Sequence, residues 1–273
     1  MSITIGNRHK LYESAYDYKI IQRLPIIIRV DGRSFHSVTK KLEKPYCPKL
    51  MDIMAHTLIE TIRQLDGAVF GYQQSDEITF VLKNDKTNET EPWFANRIQK
   101  IASVTAAITT YEFNKKFWGM NNRPDLHGQT IFDARVFAVP NISEAINNLI
   151  WRQQDCTKNA ITNAAQHELG KLLGKKTTYK LLHNKNQKAR EELLKEKCGI
   201  IFSEHYPDSY KFGIASYRVP LLLESNDGNI VRHKWVLDKN LPTFSMEREF
   251  IRGILESGKD IFRADRNWFT EGV

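Results

Sequence analysis

Cysteine is scarce in this chain and poorly placed for either of its structural uses. The 273 residues hold three, Cys47, Cys156 and Cys198. They are odd in number, far apart and without a CxxC pair, which argues against a disulfide framework and against a thiolate zinc site. A reducing, intracellular setting follows. Long apolar runs are also missing: nothing approaches the roughly 20 apolar residues that span a bilayer. The first ten residues lack the apolar centre of a secretory signal. A cytoplasmic, soluble protein with no membrane partner is therefore expected. No internal repeat and no low-complexity tract interrupts the chain. The histidines at 9, 56, 127, 167, 183, 205 and 233 show no HExxH or other ligand spacing. Gly170 to Thr177 imitates a phosphate loop but has three residues between its glycines, a lysine where a hydroxyl is needed, and a helix before it.

What is present is an ordinary globular composition, 41% apolar and 26% charged, enough for one large or two modest domains. Forty Lys and Arg against 32 Asp and Glu leave a formal charge of +8, a balance that favours polyanions such as nucleic acid without proving contact. Trp93, Trp118, Trp151, Trp235 and Trp268 read as packing residues, because no RNA-recognition aromatic motif accompanies them.

The segment from Leu24 to Val30 is rich in branched residues and stops at Asp31-Gly32, the pattern of a buried strand ending in a turn. Leu50, Ile53, Met54, Leu58, Ile62 and Leu65 recur every three or four residues, a helical stripe that Gly67 ends. Ala68 to Tyr72 and Glu77 to Leu82 read as strands joined tightly through Gln73 to Asp76. A second helical pattern runs from Trp93 to about Phe117, a loop from Gly119 to Gly128, and a fourth strand from Ile131 to Val139. The order is βαββαβ, the split ferredoxin-like unit of the α+β class. Residues 1–140 are expected to form this unit, the candidate catalytic domain, and 141–273 a helical and β extension packed on it, one structural unit with it. In the extension Ser143 to about Leu173 reads as a helix, Ile200 to Phe202, Tyr217 to Leu223 and Ile230 to Val236 as strands, and Asp227-Gly228 as a turn. Lys171 to Lys197 holds nine Lys and Arg against three Glu, either a solvated helix face or an RNA-contacting surface.

Asp31 ends the first strand and Asp76 sits between the second and third. Singly each is a turn residue. On adjacent central strands they converge, and nucleotidyl transfer needs carboxylates on rigid strands to hold two metal ions about 4 Å apart. Gly32 lets backbone approach closely, so its carbonyl is a further candidate ligand and the amides after it candidate holders of triphosphate oxygens.

Asp31-Gly32-Arg33-Ser34-Phe35-His36, Tyr72-Gln73-Gln74-Ser75-Asp76-Glu77, Phe132-Asp133-Ala134-Arg135-Val136 and Trp151-Arg152-Gln153-Gln154-Asp155-Cys156 resemble, in order and spacing, the histidine-tRNA guanylyltransferase superfamily and its guanylyltransferase-like relatives. The resemblance covers about Arg29 to Glu204. It implies a 3′-to-5′ nucleotidyltransferase acting on the 5′ end of tRNA, with two Mg²⁺ ions, GTP and other nucleoside triphosphates as substrates, and ATP or GTP activating the 5′ phosphate. It also implies a homotetramer, a dimer of dimers. Position by position, Asp31, Gly32 and Asp76 match the metal ligands. Arg33, Ser34, Phe35, His36 and Ser75 match triphosphate and base contacts, with Phe35 or His36 able to stack on a base. Arg97 and Lys100 match residues near the activating triphosphate, or are simply an exposed helix start. Lys197 matches a lysine implicated in tRNA handling, Asn159 is kept from a longer motif, and Glu77 supports the metal site rather than ligating. Where eukaryotic histidine-tRNA enzymes carry His-Ile-Asn-Asn, this chain has Thr157-Lys158-Asn159-Ala160. That departure favours template-dependent 5′-end repair or editing. The alternatives are addition of a single 5′ G to histidine tRNA, or an inactive RNA-binding palm.

Overall fold

A computed structural model describes residues 3–40, 42–118, 130–223 and 230–258. The expected loop from Gly119 to Gly128 and the Asp227-Gly228 turn lie outside the described residues. Helix α1 (Ile5–Ser14) starts where the Thr4 hydroxyl accepts from the Asn7 amide, and none of its residues is buried. Strand β1 (Ile26–Gly32) is followed by a short α2 (Phe35–Thr39) and by α3 (Pro48–Ile62), which opens with proline in its first turn, where a missing N–H costs nothing. Then come β2 (Ala68–Gln74), β3 (Glu77–Leu82), α4 (Ile98–Trp118) and β4 (Phe132–Ala138).

These strands pair antiparallel in the order β4-β1-β3-β2, the split ferredoxin-like palm. Alternation along β1 decides what each face buries. Ile26, Ile28 and Val30 pack with Met54, Leu58 and Ile59 of α3 and Phe113 and Phe117 of α4, while Ile27 points to the other face. Gly71 of β2 lets α3 lie close, since a Cβ there would stand 2.7 Å from Leu58 Cδ1 and 3.0 Å from Ile62 Cδ1. Each fully buried aliphatic side chain in this layer contributes about 1.5–3 kcal/mol, so Leu58→Ala, at a position with no exposed surface, damages it directly.

The second half begins with α5 (Ile142–Leu173), whose Asn141 side chain accepts from the Glu144 amide. Its first half covers the other face of the sheet through Ala145, Ile146 and Leu149. Its second half packs with α6 (Lys175–Leu182), α7 (Gln187–Cys198), α8 (Phe202–His205) and α9 (Asp208–Phe212) around a separate small core. Strands β5 (Ile214–Leu223) and β6 (Ile230–Asp238) extend the sheet beyond β2, and α10 (Arg248–Ser257) closes that face with Ile251, Ile254 and Leu255. The sheet thus runs across residue 140 instead of stopping there.

Two expected elements differ. The helix expected from Trp93 begins at Ile98, because Phe94, Ala95 and Asn96 take left-handed φ values of 48°, 51° and 58°. Tertiary bonds hold that kink: the Ile20 amide donates to the Asn96 carbonyl, and Asn96 Nδ2 donates to the Ile20 carbonyl at 3.3 Å. Ile200 to Phe202 is not a strand. Gly199, at φ 69°, closes α7, the Ile200 amide donates back to the Leu194 carbonyl, and Ile200 packs on the small helical core. An apolar residue after a glycine cap is the packing partner of such a helix end.

Candidate active site

The carboxyl end of β1 delivers Asp31 between Glu77 of β3 and Asp133 of β4, its register partners on either side. Residues directly opposite one another share a face, so three carboxylates stand side by side on the face that also carries Ile27 and α5. Asp76 occupies the β2–β3 turn after Ser75, which adopts φ 49°, and the Ser75 hydroxyl donates to the Asp76 carboxylate at 3.0 Å. A Cβ on Gly32 would lie 3.2 Å from Asp76 Oδ2 and 2.4 Å from Phe35 Cδ2. The missing side chain is what lets the Asp76 carboxylate rest against the end of β1. Burial pushes the Asp76 carboxyl above the usual range, the Ser75 hydroxyl pulls it back, and the Asp31 and Glu77 charges push it further. Gly32 thus brings the Asp76 carboxylate to the end of the strand that carries Asp31, near enough for the two charges to repel.

Among the described residues no group of three or more His, Cys, Asp or Glu side chains is disposed around one metal position. Two carboxylates and nearby backbone suit a hard cation that completes its shell with water and substrate phosphate, the habit of Mg²⁺ rather than of zinc. Burial, and after it the Asp31 and Glu77 charges, raise Asp76, and a bound cation would offset both.

Glu77 is otherwise engaged. Arg152 of α5 donates to it from Nε at 2.6 Å and from Nη2 to Asp155 at 2.8 Å, and Arg29 Nε lies 4.0 Å from Glu77. Arg152 is 6% exposed. It belongs to a motif quoted above, yet no role for it was read from sequence, because only the fold lays α5 across the end of β3.

A cleft of about 380 Å³ opens beside Asp76, bordered by His36, Lys44, Tyr46, Ser75, Asn159 and Tyr210 among others. That is within the usual size range of small-molecule sites. Phe35 lies at its floor with the ring in the core, 5.4 Å from Phe113 and 5.9 Å from Phe132. That ring has no free face to offer a base, whereas His36, Arg33 and Ser34 are exposed. Asn159 Nδ2 donates to Asp155 at 3.3 Å. Lys197 is exposed in the last turn of α7. Arg97 and Lys100 are not brought to this cluster: they open α4 at the end of the sheet where β1 begins. The five steps of β1 from Ile26 to Asp31 amount to about 17 Å. There Arg97 pairs with Asp17 at 3.0 Å, and Lys100 Nζ lies 4.8 Å from the Phe94 ring centroid.

The tryptophans divide. Trp93 and Trp235 pack against the core as read from sequence, but Trp118 is 49% exposed and Trp151 51% exposed, the latter with Arg152 4.3 Å and Arg29 5.7 Å from its ring centroid. Trp268 lies outside the described residues.

An antiparallel palm that gathers carboxylates at the ends of its central strands is the framework of a nucleotidyltransferase. The family model for tRNAHis guanylyltransferase (Thg1) matches residues 6–140. A bacterial tRNA(His) guanylyltransferase (Thg1)-like protein, solved in complex with ATP, superposes with a TM-score of 0.78 at 32% identity, over 93% of this chain and 99% of that one. The GTP complex of such a bacterial protein gives 0.73 at 31%, over 92% and 98%. Uncharacterized protein R259 of Acanthamoeba polyphaga mimivirus is 31% identical over 77% of this chain and 75% of its own length. A probable tRNA(His) guanylyltransferase of Dictyostelium discoideum is 25% identical over 79% and 83%. The chain belongs to the Thg1 family of tRNA guanylyltransferase-like nucleotidyltransferases. Among the described residues no helix is long and apolar enough to cross a membrane.

Proposed function

We propose that this protein joins guanylate from GTP to the 5′ end of a tRNA, working in the 3′-to-5′ direction. What supports the reading is the Asp76 carboxylate resting against Gly32 at the end of β1, one residue from Asp31, with a cleft of about 380 Å³ beside it. The names of its relatives support guanylate as the nucleotide. In the first step the 5′ monophosphate attacks the α-phosphorus of ATP or GTP and pyrophosphate leaves, and in the second the 3′-hydroxyl of the incoming GTP loses its proton and attacks the activated 5′ phosphate, displacing AMP or GMP.

Asp31 and Asp76, with the Gly32 carbonyl, would hold two Mg²⁺ ions, which when bound lower the pKa of an attacking hydroxyl and offset charge on the leaving group. The rest falls to the protein's own groups. Arg33 offsets triphosphate charge, and His36 lies along the base in the cleft. Arg152 holds Glu77 through a charge-assisted bond, so that Glu77 steadies the strand end instead of competing for the cation. Arg97 and Lys100 stand at the opposite end of the sheet, so they would reach the activating triphosphate from a second copy of the chain, which a homotetramer allows. Asn159 and Lys197 are assigned to the tRNA.

A second reading, template-dependent filling of missing 5′ nucleotides, is favoured by Thr157-Lys158-Asn159-Ala160 in place of the eukaryotic motif. Offering tRNAs that lack the first nucleotide, with each of the four bases opposite the gap, separates the two. Insertion of G alone supports guanylate addition, insertion of the complement in all four cases supports repair, and no insertion from any triphosphate refutes both.

A further inference from the structure

We propose that Trp151 is the platform on which the 5′-terminal base of the acceptor RNA stacks, with the Arg29 and Arg152 guanidiniums backing the ring. The proposal rests on the reading above and names the part of the surface that presents the RNA end to Asp31 and Asp76.

Along the face of β1 and β4 that looks toward α5, register partners descend in pairs from the acidic end: Asp31 with Asp133, Arg29 with Arg135, Ile27 with Phe137. Asp133 and Arg135 are exposed and Phe137 is 37% exposed, so α5 leaves the β4 half of this face uncovered. Trp151 projects from α5 over Arg29, two residues from Asp31 and thus about 7 Å back along the strand. Its indole remains half open to solvent although Arg152 lies 4.3 Å from its centroid. An open aromatic ring beside arginines, one step behind paired carboxylates, combines base stacking with phosphate attraction, the chemistry by which proteins hold unpaired nucleotides. Arg29 and Arg152 offer the attraction even though both also face Glu77, and Asp133 marks the acidic end where the reacting phosphate and its cation would lie.

The incoming nucleotide is the less suitable occupant. Its cleft lies on the side of Asp76 bordered by His36, Tyr46 and Tyr210, and Trp151 does not line it. An uncovered sheet face fits a long partner better than a free mononucleotide does.

The test is a double-mutant cycle between Trp151 and the terminal base. Transfer from GTP is measured with a 5′-monophosphorylated tRNA and with the same tRNA carrying an abasic 5′-terminal nucleotide, using wild type, Trp151→Ala and Trp151→Phe. With wild type active, the expected result is a roughly 10- to 100-fold rise in the apparent KM for the intact tRNA in W151A, the span usual for one base–aromatic contact. W151F should recover most of it, and GTP affinity by titration should stay unchanged. The abasic tRNA should cost wild type a similar factor and W151A nothing further. Losses that multiply, or a loss in W151A confined to GTP affinity, overturn the proposal. If wild type transfers nothing to either RNA, the functional reading itself fails, and that outcome is distinct from an active wild type matched by W151A.

Discussion

Replacing Arg152 with methionine should both destabilise the protein and disturb its carboxylate cluster. Arg152 is buried, bonds Glu77 at 2.6 Å and Asp155 at 2.8 Å, and its removal leaves Glu77, whose side chain is 14% exposed, with Arg29 at 4.0 Å as its one cationic partner among the described residues. Breaking a buried pair from one side costs about 3–5 kcal/mol. Asp155 is 34% exposed and regains water, and Arg29 keeps part of the compensation, so the lower end, about 3 kcal/mol, applies here. At about 2–4 °C per kcal/mol for a chain of this size, the melting temperature should fall by roughly 6–12 °C. The discriminating experiment is a chemical denaturation series on R152M, E77L and the double variant. Removing both charges from an interior pair is often close to neutral, so the double variant should be more stable than R152M. If R152M loses less than about 1 kcal/mol, or the two losses simply add, the pair does not hold α5 to the sheet in the way described.

Further predictions concern single groups. Gly32→Ala puts a Cβ 2.4 Å from the Phe35 ring, which the core fixes against Phe113 and Phe132; overpacking of about 1–3 kcal/mol should appear in thermal melts, together with loss of transfer activity. Tyr72→Phe removes the hydroxyl that donates to the Phe212 carbonyl at 2.8 Å and should cost about 1–2 kcal/mol by urea titration, a neutral result showing that this link between β2 and α9 is idle. Burial raises the Asp76 carboxyl, so its contribution to the stability of the metal-free protein is complete below the unfolded value of about 4 and is lost as pH rises through the higher folded value. Asp76→Asn should therefore stabilise the metal-free protein at pH 7 and change little at pH 3, and melts showing the reverse would count against the cluster. Burial pushes the Cys156 thiol up to about 12, so iodoacetamide at pH 8 should leave it unmodified in the native protein by mass spectrometry.

The palm was legible because its signals are local. Branched runs closed by Asp31-Gly32 and by Ser75-Asp76, and the stripe of α3, fix period and boundary without reference to the rest of the chain. What escaped depends on contacts between distant segments. The start of α4 is set by Ile20 reaching Asn96, and Ile200 looks like part of a strand until the glycine cap of α7 turns it into the helix. The carboxylate pair could be read from two turns, whereas Arg152 and the exposure of Trp151 could not, since both follow from how α5 crosses the sheet. Phe35 shows the opposite failure: an aromatic inside a nucleotide-binding pattern that the core had already claimed.

Incorporation of labelled GTP at the 5′ end of a tRNA, compared among wild type, Asp31→Ala and Asp76→Ala with folding checked by circular dichroism, tests the joint role of the two carboxylates most directly. Label should appear with wild type and be absent with either folded variant. Label retained at the wild-type rate in either one would contradict the account.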